Sequence, residues 1–324
     1  MKVLIFSHTY YPNKDGIAIH IYNLTKSLQK KEIDVEVVYP KNPIRIPGLS
    51  TPLPDIQSVV KLITGKYDII HVHGYGNLFS IIGAFIGMLR GKPVVWTVHG
   101  IPDRHKLFKI YNAIAIHLLR RAKVISVSRK IEMIHKNYVL IYNGIDLDRF
   151  KCNRSYKESK YVTYIGRLDR DKGVDRLIDE YAGDIMVVGS DEDGFIHELK
   201  ARSRGNVVFR EVDYEQIVEI YCNSRYVVLP SRYEGFPMVM VESIACERPF
   251  IATPVGEIPT FLEYLFGNEY KKYLIDDDIG KIIDRLDRLD LSAELRRARE
   301  KLEILSWDSI AEQTIKVYRD ALGR

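Results

Sequence analysis

The sequence is poor in cysteine and has no apolar run long enough to cross a membrane. Its cysteines, Cys152, Cys222 and Cys246, form an odd, scattered set without CxxC or Cys/His spacing. This set argues against a disulfide framework and a structural zinc site, and it favours a reducing compartment. The apolar stretch 78–89 is shorter than the roughly 20 residues of a membrane-spanning helix, and the first residues are too short an apolar core for a signal peptide. We therefore expect a cytoplasmic protein without a transmembrane span.

Charge is distributed unevenly along the chain. Residues 1–150 carry 21 Lys+Arg against 10 Asp+Glu, whereas residues 151–324 carry 27 against 33. The basic half suits an anionic partner, which could be a nucleic acid, a membrane surface or a substrate, or it is simply a solvated surface. No nucleic-acid-binding motif accompanies the charge, so we expect no nucleic acid partner.

Apolar and β-branched runs alternate with helix-length segments in both halves of the chain. The runs begin at residues 3, 35, 69, 94 and 123, and again at 161, 185, 206, 226 and 249. This alternation is typical of parallel α/β sheets, and the polar stretch 151–160 predicts a linker between them. We predict two doubly wound, Rossmann-like domains, 1–152 and 153–304, facing a cleft that holds the ligand, followed by a C-terminal helix in 305–324.

Two cations follow the first strand of the second half. Arg167 and Lys172 lie five residues apart in the loop GRLDRDKG. Arg can bind two phosphate oxygens and Lys supplies a mobile positive charge, so together they could neutralise a diphosphate leaving group. In most charged loops, however, such side chains are only solvated.

Two glutamates flank a predicted helix start near Pro237 or Met238. Glu234 then lies on the preceding loop and Glu242 in the first turns, while the first amides of the helix point outward for a phosphate. One carboxylate could hold ribose hydroxyls and the other the donor sugar. Such a pair of glutamates is also common by chance on protein surfaces.

Taken together with the strand order, these segments closely resemble glycosyltransferase family 4, a retaining family with the GT-B fold, over nearly the whole chain. The resemblance implies that Arg167 and Lys172 bind the donor diphosphate, Glu242 the ribose and Glu234 the transferred sugar. It implies backbone contacts to the donor from Gly235, Phe236, Pro237, Met238 and Val239. We expect base choice to depend on contacts near Leu168, Arg210 and Val212.

The N-terminal half resembles the same family at a strand end and a helix start. TVHG places His99 where the family has a His facing the donor sugar; a structural His is the alternative. Gly16 resembles the second Gly of a pair that brings backbone near the donor phosphate, but Asp15 replaces the first Gly. Asp15 either caps the helix or contacts the acceptor. The C-terminal SWDSIAEQTIKVY resembles final helices that pack back on the N-terminal domain, with Trp307 as an anchor.

The resemblance implies an enzyme that moves a hexose or N-acetylhexosamine from a UDP- or GDP-sugar to a glycan or lipid-linked acceptor hydroxyl. Its catalytic residues would be His99, Arg167, Lys172 and Glu234, with front-side attack or, alternatively, a covalent glycosyl-Glu234. No DxD-like pair stands on a strand-end loop in a position to bridge a metal to the diphosphate, and the acidic clusters 191–193 and 276–278 resemble turns. We therefore expect no metal and no cofactor besides the nucleotide sugar. The alternatives are an epimerase-like or phosphorylase GT-B enzyme and a catalytically silent nucleotide-sugar-binding scaffold.

The acceptor is expected on the basic N-terminal domain. The segment Arg104–Lys123 has cationic ends around an apolar middle, and Lys61 and Lys66 add charge. Peripheral docking on an anionic membrane, at its cytoplasmic face, and a buried helix with basic ends are both open.

Overall fold

The computed structural model describes residues 1–13, 15–41, 52–75, 77–100, 108–191 and 193–323, with the backbone alone for residues 108–112. Its strands are β1 (Lys2–Phe6), β2 (Asp34–Val38), β3 (Ile69–His73), β4 (Val94–Val98), β5 (Lys123–Ser126), β6 (Tyr138–Leu140), β7 (Tyr161–Ile165), β8 (Ile185–Val188), β9 (Val207–Arg210), β10 (Ser224–Leu229) and β11 (Phe250–Ala252). Its α-helices are α1 (Gly16–Lys30), α2 (Ile56–Thr64), α3 (Leu78–Leu89), α4 (Phe108–Leu119), α5 (Val174–Glu180), α6 (Phe195–Arg202), α7 (Ile217–Cys222), α8 (Met238–Ala245), α9 (Ile258–Phe266), α10 (Ile279–Asp287), α11 (Ser292–Lys301) and α12 (Trp307–Ala321).

The chain divides into two compact units, of which the first comprises Met1–Gly144 and Trp307–Arg324. Its parallel sheet has the strand order β2-β1-β3-β4-β5-β6. β3 and β4 are buried along their whole length, as central strands of parallel sheets are, which explains their continuous apolar runs. β6 was not predicted from the sequence, because this short strand is partly exposed and lacks a buried apolar run.

Helix α3 packs closely on the first sheet through two glycines. A Cβ at Gly83 would lie 2.6 Å from Phe6 Cδ1, and one at Gly87 would lie 2.9 Å from Val94 Cγ2. The Phe6 and Phe79 rings stack with centroids 4.2 Å apart. The apolar stretch 78–89 is therefore a core helix, and none of the helices in the described part of the chain has both the length and the apolarity to cross a bilayer.

The C-terminal helix α12 is part of the first unit and packs along α1. Lys31 Nζ lies 2.7 Å from Glu312 Oε1. At the start of α12, the Trp307 ring fills the space beside Gly144, where a Cβ would lie 2.6 Å from Trp307 Cδ2. A side chain at position 144 would therefore displace Trp307.

The second unit comprises Ile145–Ser306 and contains a parallel sheet with the strand order β11-β10-β7-β8-β9. Because the strands are parallel, the loops after β7, β8, β9 and β10 leave the same edge of the sheet. Two of these loops approach closely, since a Cβ at Gly189 would lie 1.7 Å from Gly166 O. This edge carries the predicted donor-binding residues Arg167, Lys172 and Arg210 of the second unit.

The expectation that the cysteines are unpaired is wrong. Cys152 and Cys222 form a disulfide that closes a sequence separation of 70 residues within the second unit. Cys246 is a buried free thiol, and burial raises its pKa to about 12. Sequence spacing did not reveal the pair, because a disulfide depends on proximity in the fold, here a Cα–Cα distance of 5.4 Å.

Candidate active site

Lys172 and Glu234, predicted from two separate loops, form an ion pair. Lys172 Nζ lies 2.7 Å from Glu234 Oε1, with side chains that are 20% and 9% exposed. The Ser231 hydroxyl also donates to Glu234 Oε1, at 2.8 Å. Because both charges are largely withdrawn from water, each needs the other, and their relative position is fixed. A cation and a carboxylate are therefore held side by side, in the loops after β7 and β10.

Arg167, at the start of the same loop as Lys172, reaches into solvent. Its side chain is 65% exposed, and its Nη2 lies 3.4 Å from Asp169 Oδ2. Asp169 also accepts from the Lys172 amide at 3.1 Å and so begins the short helical turn Arg170–Lys172. At Gly173 (φ 65°), a Cβ would lie 2.2 Å from Pro230 O, which requires glycine there. The loop therefore fixes Lys172 and leaves the Arg167 guanidinium accessible to an anion.

Helix α8 begins at Met238 with Pro237 before it, as predicted. The first turn places the Met238 and Val239 amides at the helix N-terminus, where the helix dipole favours an anion. Gly256 packs directly on the loop before the helix. It has φ 59°, and a Cβ there would lie 2.4 Å from Glu234 O. The Glu257 amide donates to Gly235 O at 2.9 Å. The backbone that leads into α8 is thus well fixed.

Phe236, between these residues, is buried. Its ring lies edge-on to Phe261 of α9, with centroids 5.0 Å apart. Its side chain therefore anchors the loop in the core, so that any donor contact at this position comes from its backbone.

Glu242 lies in the second turn of α8 and is partly buried. Its Oε2 accepts from the Tyr221 hydroxyl at 2.6 Å. Burial raises the pKa of Glu242, while the Tyr221 hydrogen bond and the positive charge of Arg149 oppose that shift. Arg149 in turn lies over the Tyr214 ring, 4.0 Å from its centroid. The carboxylate thus keeps one oxygen engaged and can offer the other to a ligand.

The surroundings of Glu242 were not predicted from the sequence. They include Tyr221, Tyr214 and Arg149. They come from α7, from the turn before it and from the start of the second unit, so no sequence spacing links them to Glu242. The tyrosine-rich composition was the one available signal. Their contacts show that the surroundings of Glu242 are assembled by the fold rather than by a motif.

Arg210 and Val212 lie at the end of β9 and just after it. The Arg210 carbonyl accepts from the Gly189 amide at 3.1 Å, which ties β9 to the loop after β8. Arg210 is exposed and Val212 partly so. Both belong to the same sheet edge as Lys172 and Glu234, and their place beside a nucleobase stays a prediction.

His99 follows β4 in the first unit and belongs to a cluster of histidines. Its Nε2 lies 3.0 Å from Nδ1 of His73, at the end of β3. The His20 ring of α1 lies edge-on to His99, with centroids 4.7 Å apart. His71 lies 2.7 Å from both Tyr318 OH and Thr97 Oγ1. The His99 ring is only partly buried. It can therefore have a structural role within the cluster and still contact a ligand.

Burial keeps this cluster neutral. It lowers the pKa of His20 to about 4 and that of His71 to about 3. It also lowers the pKa of His73 and of His99 well below the usual value, with the neighbouring histidines adding to the effect. Of these histidines only His99 was predicted as a site residue, although HVH at the end of β3 was an available signal for His71 and His73.

Gly16 is the first residue of α1, and a Cβ there would meet nothing within 4 Å. Asp15 caps this helix, since its Oδ1 accepts from the Ile17 and Ala18 amides, each at 3.0 Å. The cap reading of Asp15 is therefore confirmed. Its carboxylate occupies amides with which this helix terminus would otherwise bind a phosphate. A donor contact here would fall to the Gly16 backbone.

Two units, each built on a parallel α/β sheet, are the architecture expected for a glycosyltransferase of the GT-B fold, and the second unit carries the Lys172–Glu234 ion pair at its strand ends. Two family models match consecutive parts of the chain: Glycosyltransferase Family 4 covers residues 14–149, and Glycosyl transferases group 1 covers residues 147–303. The chain belongs to glycosyltransferase family 4, and its second unit matches the group 1 model.

Relatives and solved structures match the chain almost end to end. The uncharacterized glycosyltransferase MJ1607 of Methanocaldococcus jannaschii is 24% identical, over 99% of each chain. The GPI3 subunit of phosphatidylinositol N-acetylglucosaminyltransferase from Saccharomyces cerevisiae is 23% identical, over 98% of this chain and 75% of that protein. Anabaena HepE in complex with UDP is 19% identical with a TM-score of 0.75, over 99% of this chain and 100% of that chain. At that identity the structural likeness shows the fold alone.

Proposed function

We propose that the protein is a retaining glycosyltransferase that moves a hexose or N-acetylhexosamine from a UDP- or GDP-sugar to the hydroxyl of a glycan or lipid-linked acceptor. The observation that carries the proposal is the Lys172–Glu234 ion pair, beside exposed Arg167 and the N-terminus of α8. Related folds have been solved with UDP and with UDP-glucose, which supports a nucleotide-sugar donor.

The diphosphate of the donor would be bound by Arg167 and Lys172. As the bond to the sugar breaks, negative charge grows on the leaving diphosphate, and two preplaced cations stabilise it. The α8 amides add partial positive charge from another direction. These groups suffice for the charge of a diphosphate, so we propose that this step needs no metal ion.

Glu234 would take over sugar hydroxyls when the diphosphate attracts Lys172. In the ion pair, Lys172 Nζ and Ser231 both bind Glu234 Oε1. A diphosphate that competes for Lys172 would free acceptor capacity on Glu234 without leaving the Lys172 charge unpaired. Front-side attack by the acceptor then retains the anomeric configuration, with Glu234 positioning the sugar. In the first unit, His99 would contact a donor sugar through the accessible part of its ring.

Glu242 would hold the ribose of the donor. Tyr221 engages one oxygen of the carboxylate and so fixes its orientation, and the ionised group accepts ribose hydroxyls. Gly235, Phe236 and Pro237 would complete the donor site through their backbone, with Arg210 and Val212 near the base.

We further propose that the first unit contacts an anionic membrane at its cytoplasmic face, where a lipid-linked acceptor and a nucleotide sugar would meet. In the segment 104–123, residues 104–107 lie outside the described part, and Ala115, Leu118 and Leu119 are buried, which favours the buried-helix reading there. Helix α2 instead presents Ile56, Val60 and Ile63, which are 80%, 49% and 50% exposed. Flotation of Ile56→Ser and Ile63→Ser variants with anionic vesicles tests this surface; equal binding by wild type and variants would exclude it.

The proposed donor site is tested with a panel of UDP- and GDP-sugars, without added metal, by thermal stabilisation and by slow donor hydrolysis. We expect one donor to stabilise the protein, and Arg167→Ala and Glu242→Ala to lose that response. Arg204→Ala and Glu263→Ala change exposed residues of the same unit and should keep it. A donor response that survives both site substitutions would overturn the assignment. Conversion of the donor to an epimer without acceptor would indicate the epimerase alternative.

A further inference from the structure

Three histidines of the first unit converge on one point. His20 of α1, His73 at the end of β3 and His99 after β4 each offer one ring nitrogen within 4.8 Å of the other two. The ring centroids are 4.7 Å apart for His20 and His99, 5.3 Å for His73 and His99, and 5.6 Å for His20 and His73. The closest nitrogens, His73 Nδ1 and His99 Nε2, lie 3.0 Å apart.

These separations match those of three imidazoles on one tetrahedral metal ion. With Zn–N bonds of about 2.0–2.1 Å, tetrahedral angles place the ligand nitrogens about 3.3 Å apart and the ring centroids about 5 Å apart. The observed centroid distances lie on both sides of that value. In the structure the His73 and His99 nitrogens face each other as a hydrogen-bonded pair. Metal binding would replace this hydrogen bond and turn both rings toward the ion.

Unsatisfied nitrogens provide a second, independent observation. In the described part of the chain, His20 Nδ1 and His73 Nε2 are buried without a hydrogen-bond partner. Buried polar atoms are nearly always satisfied, so the unpaired Nδ1 of His20 needs an explanation. If His73 binds the ion through Nδ1, its Nε2 carries the proton. A metal ion bound to His20 through Nδ1 would satisfy that atom.

We propose that His20, His73 and His99 bind one divalent transition-metal ion of the Zn²⁺ class, with a fourth position open to water or another ligand. Three nitrogen donors suit Zn²⁺ and its first-row neighbours rather than Mg²⁺ or Ca²⁺, which prefer oxygen. The imidazoles are neutral, the form in which histidine binds metal.

Neighbouring residues support the orientation of the ligands. The His71 ring lies 4.2 Å from that of His73 and is fixed by Tyr318 and Thr97. Such outer partners hold ligand rings in place. All three ligands belong to the first unit, whereas Arg167 and Lys172 belong to the second. The proposed ion therefore differs from the diphosphate-bridging metal that the sequence argues against.

One consequence rests on the proposed role of His99. A bound ion would take the His99 lone pair and hold its ring, so Zn²⁺ should inhibit sugar transfer whereas Mg²⁺ should not. Metal binding itself is measured without donor or acceptor. Failure of the metal site and failure of the transferase proposal are therefore separate results.

The test is equilibrium dialysis of the chelator-treated full chain against Zn²⁺ alone, with metal and protein both quantified. We expect about one ion per wild-type chain, and affinities lower by at least about tenfold in His20→Asn and His73→Asn. His117→Asn, at an exposed position of α4, is the matched control and should bind like the wild type. Circular dichroism checks that each variant is folded.

Co²⁺ substitution keeps the proposal testable if the variants do not fold. Wild-type protein with Co²⁺ should show the visible absorption of a tetrahedral nitrogen site, and Zn²⁺ should displace it. No wild-type binding of either ion, or binding that folded His20→Asn and His73→Asn retain in full, would overturn the proposal.

Discussion

The second unit holds its main polar side chains as opposite charges, whereas the first unit holds its own as neutral rings. Lys172 and Glu234 are paired at 2.7 Å, and the buried histidines around His99 have pKa values shifted down by burial. The ion pair already holds Lys172 largely out of water, so an incoming diphosphate can bind this cation without desolvating it anew. Neutral imidazoles have no such attraction for an anion but can bind hydroxyls or a metal ion. The two units are therefore prepared for different ligands.

The largest effect is expected when the Lys172–Glu234 ion pair is broken. We expect Lys172→Met to lower kcat/KM by about a hundredfold to a thousandfold, the range found when one stabiliser of developing charge is removed. The substitution also leaves Glu234 buried without its cation, so the thermal stability should fall. Initial transfer rates and thermal unfolding measure the two effects.

Two companion variants interpret that result. Lys281→Met removes a pair with Asp277 at 3.3 Å, with side chains 69% and 49% exposed, and should leave kcat/KM unchanged because exposed pairs contribute little. Lys172→Met combined with Glu234→Gln should recover stability without recovering activity. Wild-type rates in Lys172→Met would show that the pair is structural only.

The second largest effect is expected from removing the disulfide, which should lower the stability of the second unit but not that of the first. Removing the disulfide with Cys152→Ser and Cys222→Ser should destabilise the second unit by about 2–4 kcal/mol, because the disulfide closes a long loop in the unfolded chain. Both tryptophans, Trp96 and Trp307, lie in the first unit. The urea midpoint measured by far-UV circular dichroism should therefore shift to lower urea concentration, while the midpoint measured by tryptophan fluorescence should not shift.

Reductant on the wild type should reproduce that shift, and the Cys246→Ala variant should remain sensitive to reductant. A fluorescence transition that moves together with the circular dichroism would mean that the units unfold as one. No shift with either probe would show that the disulfide does not form in solution.

Strands and helix starts could be predicted from local sequence patterns, whereas contacts between residues far apart in the chain could not. The alternating runs identified ten of the strands because parallel strands buried on both faces are continuous apolar runs. The exposed edge strand β6 has no such run. Helix starts were predicted near Ile17 and near Pro237 or Met238 from local cap and turn chemistry, and the helices begin at Gly16 and Met238.

Contacts across the chain were the part that sequence could not give. The Lys172 and Glu234 loops were each predicted, but their ion pair spans 62 residues. The Tyr221 bond to Glu242, the histidine cluster and the disulfide join segments that no spacing rule connects. Each depends on which strand ends the sheet order brings together.

A smaller effect concerns the charge state of Glu242. Burial raises the pKa of Glu242, so in the folded protein this residue becomes protonated at a higher pH than an exposed glutamate does. Without donor, the stability linked to this proton is present at low pH and lost as the pH rises through the folded pKa. Donor binding needs the charged form, so donor affinity should fall on acidification through that pKa. Isothermal titration with nucleotide across acid and neutral pH measures it.

Tyr221→Phe sharpens this test. It removes a hydrogen bond that favours the carboxylate, so the midpoint should move to higher pH, while affinity at neutral pH falls by less than about tenfold. Tyr226→Phe removes a similar bond to Asp287, at 2.7 Å, and should leave the midpoint unchanged. A pH profile that is the same in wild type and Glu242→Gln would contradict the assignment.

The smallest effect returns to the first unit, at Gly16. A Cβ there meets nothing within 4 Å, and alanine favours a helix over glycine by up to about 1 kcal/mol, so Gly16→Ala should leave stability unchanged or raise it. If the Gly16 backbone closely approaches the donor, the added methyl group should raise the donor KM several-fold, while Gln29→Ala at an exposed position of α1 should not. An unchanged KM would mean that Asp15, which already occupies the helix amides, has replaced the phosphate contact. The charged recognition of the donor would then belong to the second unit alone.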